Sequence, residues 1–166
     1  MKHSAIAIRT ADSRDAAGIL DCLAVAFEPY RTSYTPEAFA DTVLTPDTLA
    51  RRLKEMVVFI AVDASDRILG TIACSIVDSS EGHVRGMAVL PTWQGTGVAR
   101  QLLARAESHF VEKKCKRVSL DTTAPLKRAI RFYERFGFRP SGKIQDFFGM
   151  PLCEYVKPLS SHQPRG

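Results

Sequence analysis

Apolar residues along this chain change their spacing several times, and each change marks an element. A short half-apolar run at 6–9 reads as an opening strand. Ala16, Ile19, Leu20, Leu23, Val25 and Phe27 then recur at helical spacing, with Thr10 or Asp12 placed as a cap and Pro29 as a stop just after Glu28. The polar, aromatic stretch 30–34 reads as a loop. Thr35-Pro36-Glu37 and Thr45-Pro46-Asp47 each start a short helix with proline in its first turn, one ending at Val43 and the next at about Glu55. Residues 56–62 are continuously apolar and rich in β-branched side chains, the pattern of a buried strand. Asp63-Ala64-Ser65-Asp66 turns the chain, and 67–77 returns as an antiparallel partner. After a second turn at 78–82, residues 83–90 read as the next strand.

The second half changes register. Val98, Leu102, Leu103, Ala106 and Phe110 form one stripe of a helix from 98 to about 113, with Arg100, Arg105, Glu107 and Lys113 facing water. A strand follows at 117–121. Strand, helix and strand in that order form a βαβ unit, which needs parallel strands and a right-handed crossover. Pro125 opens a last helix with Ile130, Tyr133 and Phe136 among its apolar positions, and Gly137 closes it. Two short strands at 144–148 and 152–157 flank a turn at Gly149-Met150-Pro151. The expected architecture is an α/β (α+β) protein with a mixed, mostly antiparallel sheet, a central parallel pair and flanking helices. It is read as one domain over 1–158 with a flexible tail at 159–166 and no internal repeat.

Composition narrows the classes. A chain of 166 residues with 45% hydrophobic content can bury a full core. No apolar run approaches the roughly 18 residues of a membrane span, and the N-terminus lacks the apolar centre of a signal peptide, so no membrane partner is expected. The four cysteines, Cys22, Cys74, Cys115 and Cys153, are far apart, as free thiols in a reducing, cytoplasmic setting would be. The histidines show no ligand spacing, so no metal is expected. A net charge of +5 admits nucleic acid, an anionic surface or an anionic cofactor. No stacking-aromatic motif or recognition helix supports a nucleic-acid partner.

The stretch Trp93-Gln94-Gly95-Thr96-Gly97-Val98-Ala99 joins the strand after 82 to the long helix. A glycine-rich turn feeding a helix N-terminus is a phosphate site, because the first N–H groups lack intrahelical partners and the macrodipole is positive there. Gly95 and Gly97 let the backbone approach an anion. Arg100 stands where a Rossmann fingerprint needs its third glycine, and no Walker Gly-Lys-Ser/Thr follows. A plain strand-to-helix turn is the competing reading.

Two motifs in this order resemble those of the GNAT superfamily of acyl-CoA-dependent N-acetyltransferases. One is Gln94-x-x-Gly97-x-Ala99. The other is Ala129-Ile130-Arg131-Phe132-Tyr133-Glu134-Arg135-Phe136-Gly137-Phe138, a Tyr-Glu pair ahead of Gly-Phe. The element order extends the resemblance over about residues 5 to 158, and 146–157 is similar to the family's closing hairpin. The resemblance implies a GNAT-like fold and acetyl-CoA as cofactor. It implies that Met87, Ala88 and Val89 meet the pantetheine arm, that Gln94, Gly95, Thr96, Gly97, Val98, Ala99 and Arg100 hold the pyrophosphate, and that the parallel strands splay to admit it. Lys127, Arg128 and Arg131 are further candidates near the phosphates. The family often has an asparagine at the position of Leu126, so one cofactor contact is missing here.

Acyl transfer from a thioester to an amine expels a thiolate, which a phenol can protonate. The resemblance assigns that role to Tyr133, which would also touch the cofactor; the alternative is a core tyrosine with its hydroxyl satisfied. The amine must also lose a proton. Histidine titrates near neutral pH, and His83 is the candidate base, directly or through water, with Glu81, Asp121 and ordered water as rivals. Strand alternation puts His83 on the face of Arg85, Met87 and Val89. Phe132 and Phe136 read as core. The expected function is transfer of an acetyl group from acetyl-CoA to a primary amine, either a small molecule or a peptide, by direct attack. Loop 30–35, segment 45–52 and hairpin 147–152 would select the acceptor. A non-catalytic acyl-CoA-binding or sensing module on the same fold is the alternative. A homodimer is compatible with the sequence.

Overall fold

The computed structural model describes residues 5–160. Seven strands build one sheet: β1 (Ala7–Thr10), β2 (Val57–Val62), β3 (Ile68–Asp78), β4 (Glu81–Val89), β5 (Arg117–Thr122), β6 (Arg139–Phe147) and β7 (Met150–Pro158). Their order is β1-β2-β3-β4-β5-β7-β6. Only β4 and β5 are parallel; every other pair is antiparallel.

Helices cover both faces because the central strands are apolar on both. Along β2, Val58, Ile60 and Val62 face the cluster built with α1 (Ala16–Phe27), α2 (Pro36–Val43) and α3 (Pro46–Glu55). Phe59 and Ala61 face the opposite cluster under α4 (Val98–Glu112), which α5 (Lys127–Arg135) joins. All five stripe residues of α4, Val98, Leu102, Leu103, Ala106 and Phe110, are fully buried. Arg105, expected to face water, instead lays its guanidinium 4.5 Å from the Phe59 ring centroid.

The short helices start where hydroxyl caps stand. Thr35 and Thr45 accept the N–H groups of Ala38 and Thr48, and proline follows each cap. Gly137, at φ +107°, ends α5 in a Schellman motif: its N–H donates to the Glu134 carbonyl and that of Phe138 to the Tyr133 carbonyl.

Three local expectations are corrected. Residues Glu28–Ser33 form a 3₁₀ helix rather than a loop, and the Arg31–Glu28 ion pair at 2.9 Å has the three-residue spacing that such a helix aligns. Strand β6 begins at Arg139, five residues early. As an edge strand it tolerates Pro140, and an irregularity between Pro140 and Ile144 absorbs Gly142. The last hairpin turns at Phe148-Gly149, both at positive φ, rather than at 149–151. Of the expected tail, 161–166 lie outside the described residues, and Leu159 donates its N–H to the Lys116 carbonyl at 2.7 Å.

Gly82 of β4 lies under the Phe110 ring, and a Cβ there would sit 2.3 Å from Phe110 Cδ1. Gly82→Ala should therefore overpack this face and cost about 1–3 kcal/mol. Scanning calorimetry should show Tm several degrees lower; an unchanged Tm would mean that Phe110 moves aside freely.

Candidate active site

The site begins where β4 leaves β5. The two strands pair only from Glu81 with Arg117 to Val84 with Leu120. Beyond that, β4 carries a bulge: Thr71 of β3 faces Ala88, yet Ala73 faces Arg85. Gly86 takes the extra residue at φ +59°. The bulge reverses the parity of the strand. Val84 lies on the α4 face, and after the bulge so do Met87 and Val89, while Ala88 turns to the α1 face. His83 and Arg85 therefore do not share a face with Met87 and Val89, contrary to plain alternation.

A groove of about 640 Å³ opens at this splay. Its floor is Met87, Ala88 and Val89, and one end is the N-terminus of α4. Gly97 is the N-cap in the left-handed region, φ +95°, and no side chain caps the helix. The first N–H groups of α4 are thus free for an anion. Gly95 is also at positive φ, and a Cβ there would lie 3.5 Å from the Arg128 guanidinium, so Arg128 reaches over the loop. Arg100, Arg131 and Arg135 also line the groove. Glycine backbone, open helix end and guanidinium suit a pyrophosphate.

The residues of the loop divide their work. Gln94 Nε2 donates to the Val89 carbonyl at 3.4 Å and ties the loop to the end of β4. Thr96 turns its hydroxyl back to the Trp93 carbonyl. Neither Thr96 nor the fully buried Val98 lines the groove, so each can offer a ligand only its backbone. Phe132 and Phe136, expected as core, pack half-buried against the α4-side cluster and also form groove walls. Leu126 lies at the N-cap of α5, where it caps nothing, and lines the groove as an apolar wall.

A smaller cavity of about 110 Å³ adjoins the groove, with Phe27, Met87, Leu126 and Tyr133 lining both. Tyr133 is buried, and its hydroxyl makes no hydrogen bond among the described residues. Burial pushes its phenol well above the usual range, so it holds its proton. His83 opens into the small cavity. Its Nδ1 is 2.8 Å from Ser119 Oγ and its Nε2 is 3.4 Å from Asp121 Oδ2. Glu81, a rival base, is tied to Arg117 and reaches neither cavity. Tyr34, Arg52, Phe147 and Leu152 also line this cavity, so the three segments expected to select an acceptor converge on it.

The profile of the Acetyltransferase (GNAT) family matches residues 19–138. The chain belongs to this family. It is 29% identical over 160 residues to an aminoglycoside N(6')-acetyltransferase type 1 of Stenotrophomonas maltophilia, covering 92% of this chain and 97% of that protein. It is 27% identical over 102 residues to the N-alpha-acetyltransferase MAK3 of Arabidopsis thaliana, covering 60% of this chain but only 54% of that protein. The fold is that of the PaiA N-acetyltransferase of Thermoplasma acidophilum, solved in complex with coenzyme A, with a TM-score of 0.77 at 17% identity over 93% of this chain and 99% of that one.

Within the family fold, sequence reasoning missed Trp93 as a groove wall, and it named Arg52 only as part of segment 45–52, not as the charged wall of the cavity. Trp93 sits inside the quoted loop, and a bulky aromatic next to a phosphate motif was a usable signal. That Arg52 is the residue of its segment that meets β4 had no signal, since the two are remote in sequence. No helix among the described residues is long and apolar enough to cross a membrane.

Proposed function

We propose that this protein acetylates a primary amine by direct attack on acetyl-CoA, with residues 1–158 as its single catalytic domain. The observation that carries the reading is Tyr133. Its unpartnered hydroxyl stands where a phosphate-type groove meets a cavity holding a histidine–carboxylate pair.

The groove suits the cofactor: α4 and Arg128 take the pyrophosphate, and the unpaired edge of β4 beyond Val84 offers backbone groups to the pantetheine arm. Acetyl-CoA supplies the thioester whose carbonyl carbon the amine attacks. The amine enters by the small cavity and gives its proton to the His83–Asp121 pair on the Nε2 side. The Nε2–Asp121 contact of 3.4 Å is longer than a good hydrogen bond, so the ring can turn Nε2 from the carboxylate to an incoming amine or water. Ser119 holds the ring through Nδ1. Tyr133 then donates its proton to the departing sulfur. No covalent enzyme intermediate is needed: Cys22, Cys74 and Cys115 are buried, and burial raises each thiol away from its reactive form. Four free thiols fit a reducing, cytoplasmic setting.

Acetyl-CoA at about 100 times its Kd adds about 2.7 kcal/mol of stability, expected as a rise in Tm of about 5–10 °C. ATP and NAD should give none. His83→Ala should keep that rise while kcat falls by about 10²–10⁴. If acetyl-CoA leaves Tm unmoved, 94–99 is only a turn and the assignment fails.

A further inference from the structure

The small cavity holds charges that the chemistry above does not use. Arg52 comes from the last turn of α3 and lays its guanidinium against the bulge of β4: a Cβ on Gly86 would lie 2.2 Å from its Nη1. The bulge glycine is what makes room for it. Arg52 makes no hydrogen bond or ion pair among the described residues, although it carries five N–H donors. Burial, and then the nearby charge of Arg85, pull it down to about 10, while Asp41 opposes them only through space. Arg85 lines the same cavity. Two carboxylates line the cavity as well: Asp121 is already engaged with His83, and Asp41 makes no ion pair with Arg52 among the described residues.

A half-buried guanidinium without a partner is costly unless something anionic completes it. The second guanidinium, Arg85, adds its donors to the same cavity. The opposite end, at His83 and Asp121, accepts protons. Gly86 is three residues beyond His83 on β4, at most about 10 Å at the rise of a strand and less across the bulge, so the two ends stand about one amino acid apart. A polycation would bring positive charge against Arg52 and Arg85.

We propose that the acceptor is an amine that also bears a carboxylate, an amino acid or short peptide, with Arg52 gripping the carboxylate while His83 and Asp121 receive the amine. This rests on the protein being an N-acetyltransferase. Arg52 selects the substrate; it takes no part in proton transfer.

The test measures kcat/KM with acetyl-CoA for the twenty standard amino acids and a set of dipeptides. Each is paired with its carboxamide, and spermidine serves as the cationic comparison. The free acids should be favoured over their carboxamides by about 10–100-fold, mostly through KM. In Arg52→Gln the ratio should fall to near one, and Arg52→Lys should retain part of it, since lysine keeps the charge but loses the planar fork. Both variants should bind acetyl-CoA with unchanged Kd by calorimetry, which also verifies that they fold. Equal or better use of carboxamides or spermidine by the unaltered enzyme overturns the inference and leaves N-acetylation standing. So does acetyl-CoA binding without turnover of any carboxylate-bearing amine, or an unchanged ratio in Arg52→Gln. Acetyl-CoA that neither binds nor is consumed with any acceptor rejects the enzyme assignment itself.

Discussion

Tyr133→Phe is expected to lower kcat by about 10²–10⁴ while the Kd for acetyl-CoA stays within a few-fold. The variant removes one oxygen and keeps the ring that packs against Phe132 and Phe138. Because that hydroxyl has no protein partner, its loss leaves no broken hydrogen bond, and Tm should be unchanged or slightly raised. The sign of the pH effect follows from burial. A phenol raised above its usual value of about 10 is fully protonated across the neutral range and loses its proton only in strong alkali. The deficit in kcat should therefore be the same at every pH from mildly acidic to mildly alkaline. A variant with wild-type kcat would reduce Tyr133 to a wall between the two cavities.

Gly97→Val should weaken acetyl-CoA binding by about 10–100-fold, the loss of one charge-assisted hydrogen bond or more. Space is not the cause, since a Cβ at Gly97 would meet nothing within 4 Å. The cause is the backbone. Gly97 lies at φ +95° and ψ 0°, a conformation that a β-branched residue avoids at a cost of about 1–3 kcal/mol. Relaxing it turns the loop and the first N–H groups of α4 away from the anion. Gly142→Val is the matched control. It has φ +91° and the same free space, but lies in the irregular part of edge strand β6. Calorimetry should give similar losses of stability for both variants, but a raised Kd for Gly97→Val alone. Equal Kd values in the pair would mean that the loop does not hold the phosphates.

Periodicity carried most of the fold. The α4 stripe, the β2 run, the proline-led helix starts and the βαβ order were all legible, because each depends on neighbours within one or two turns of chain. The glycine turn ahead of α4 was legible for the same reason: glycines, helix start and strand end are contiguous. Where reading failed, a local rule met a distant constraint. Strand alternation placed His83 with Met87 and Val89, but the bulge at Gly86 breaks the period, and only pairing with β3 shows where the extra residue goes. A glycine inside a strand was the available hint. Phe132 and Phe136 were read as core from their apolarity and do pack against it, but the splay between β4 and β5 also leaves them lining a groove.

Neighbouring residues alone specified the element order, the core stripes, the glycine turn before α4 and the position of the tyrosine in the second motif. These are set by contiguous residues and by periods of 2 and 3.6. Tertiary structure alone decided that His83 meets Asp121 and Ser119, that Glu81 is spent on Arg117, and that Arg52 reaches the bulge of β4. Those contacts join residues more than 30 positions apart, and burial and charge act across space on whichever groups the packing of the sheet brings together.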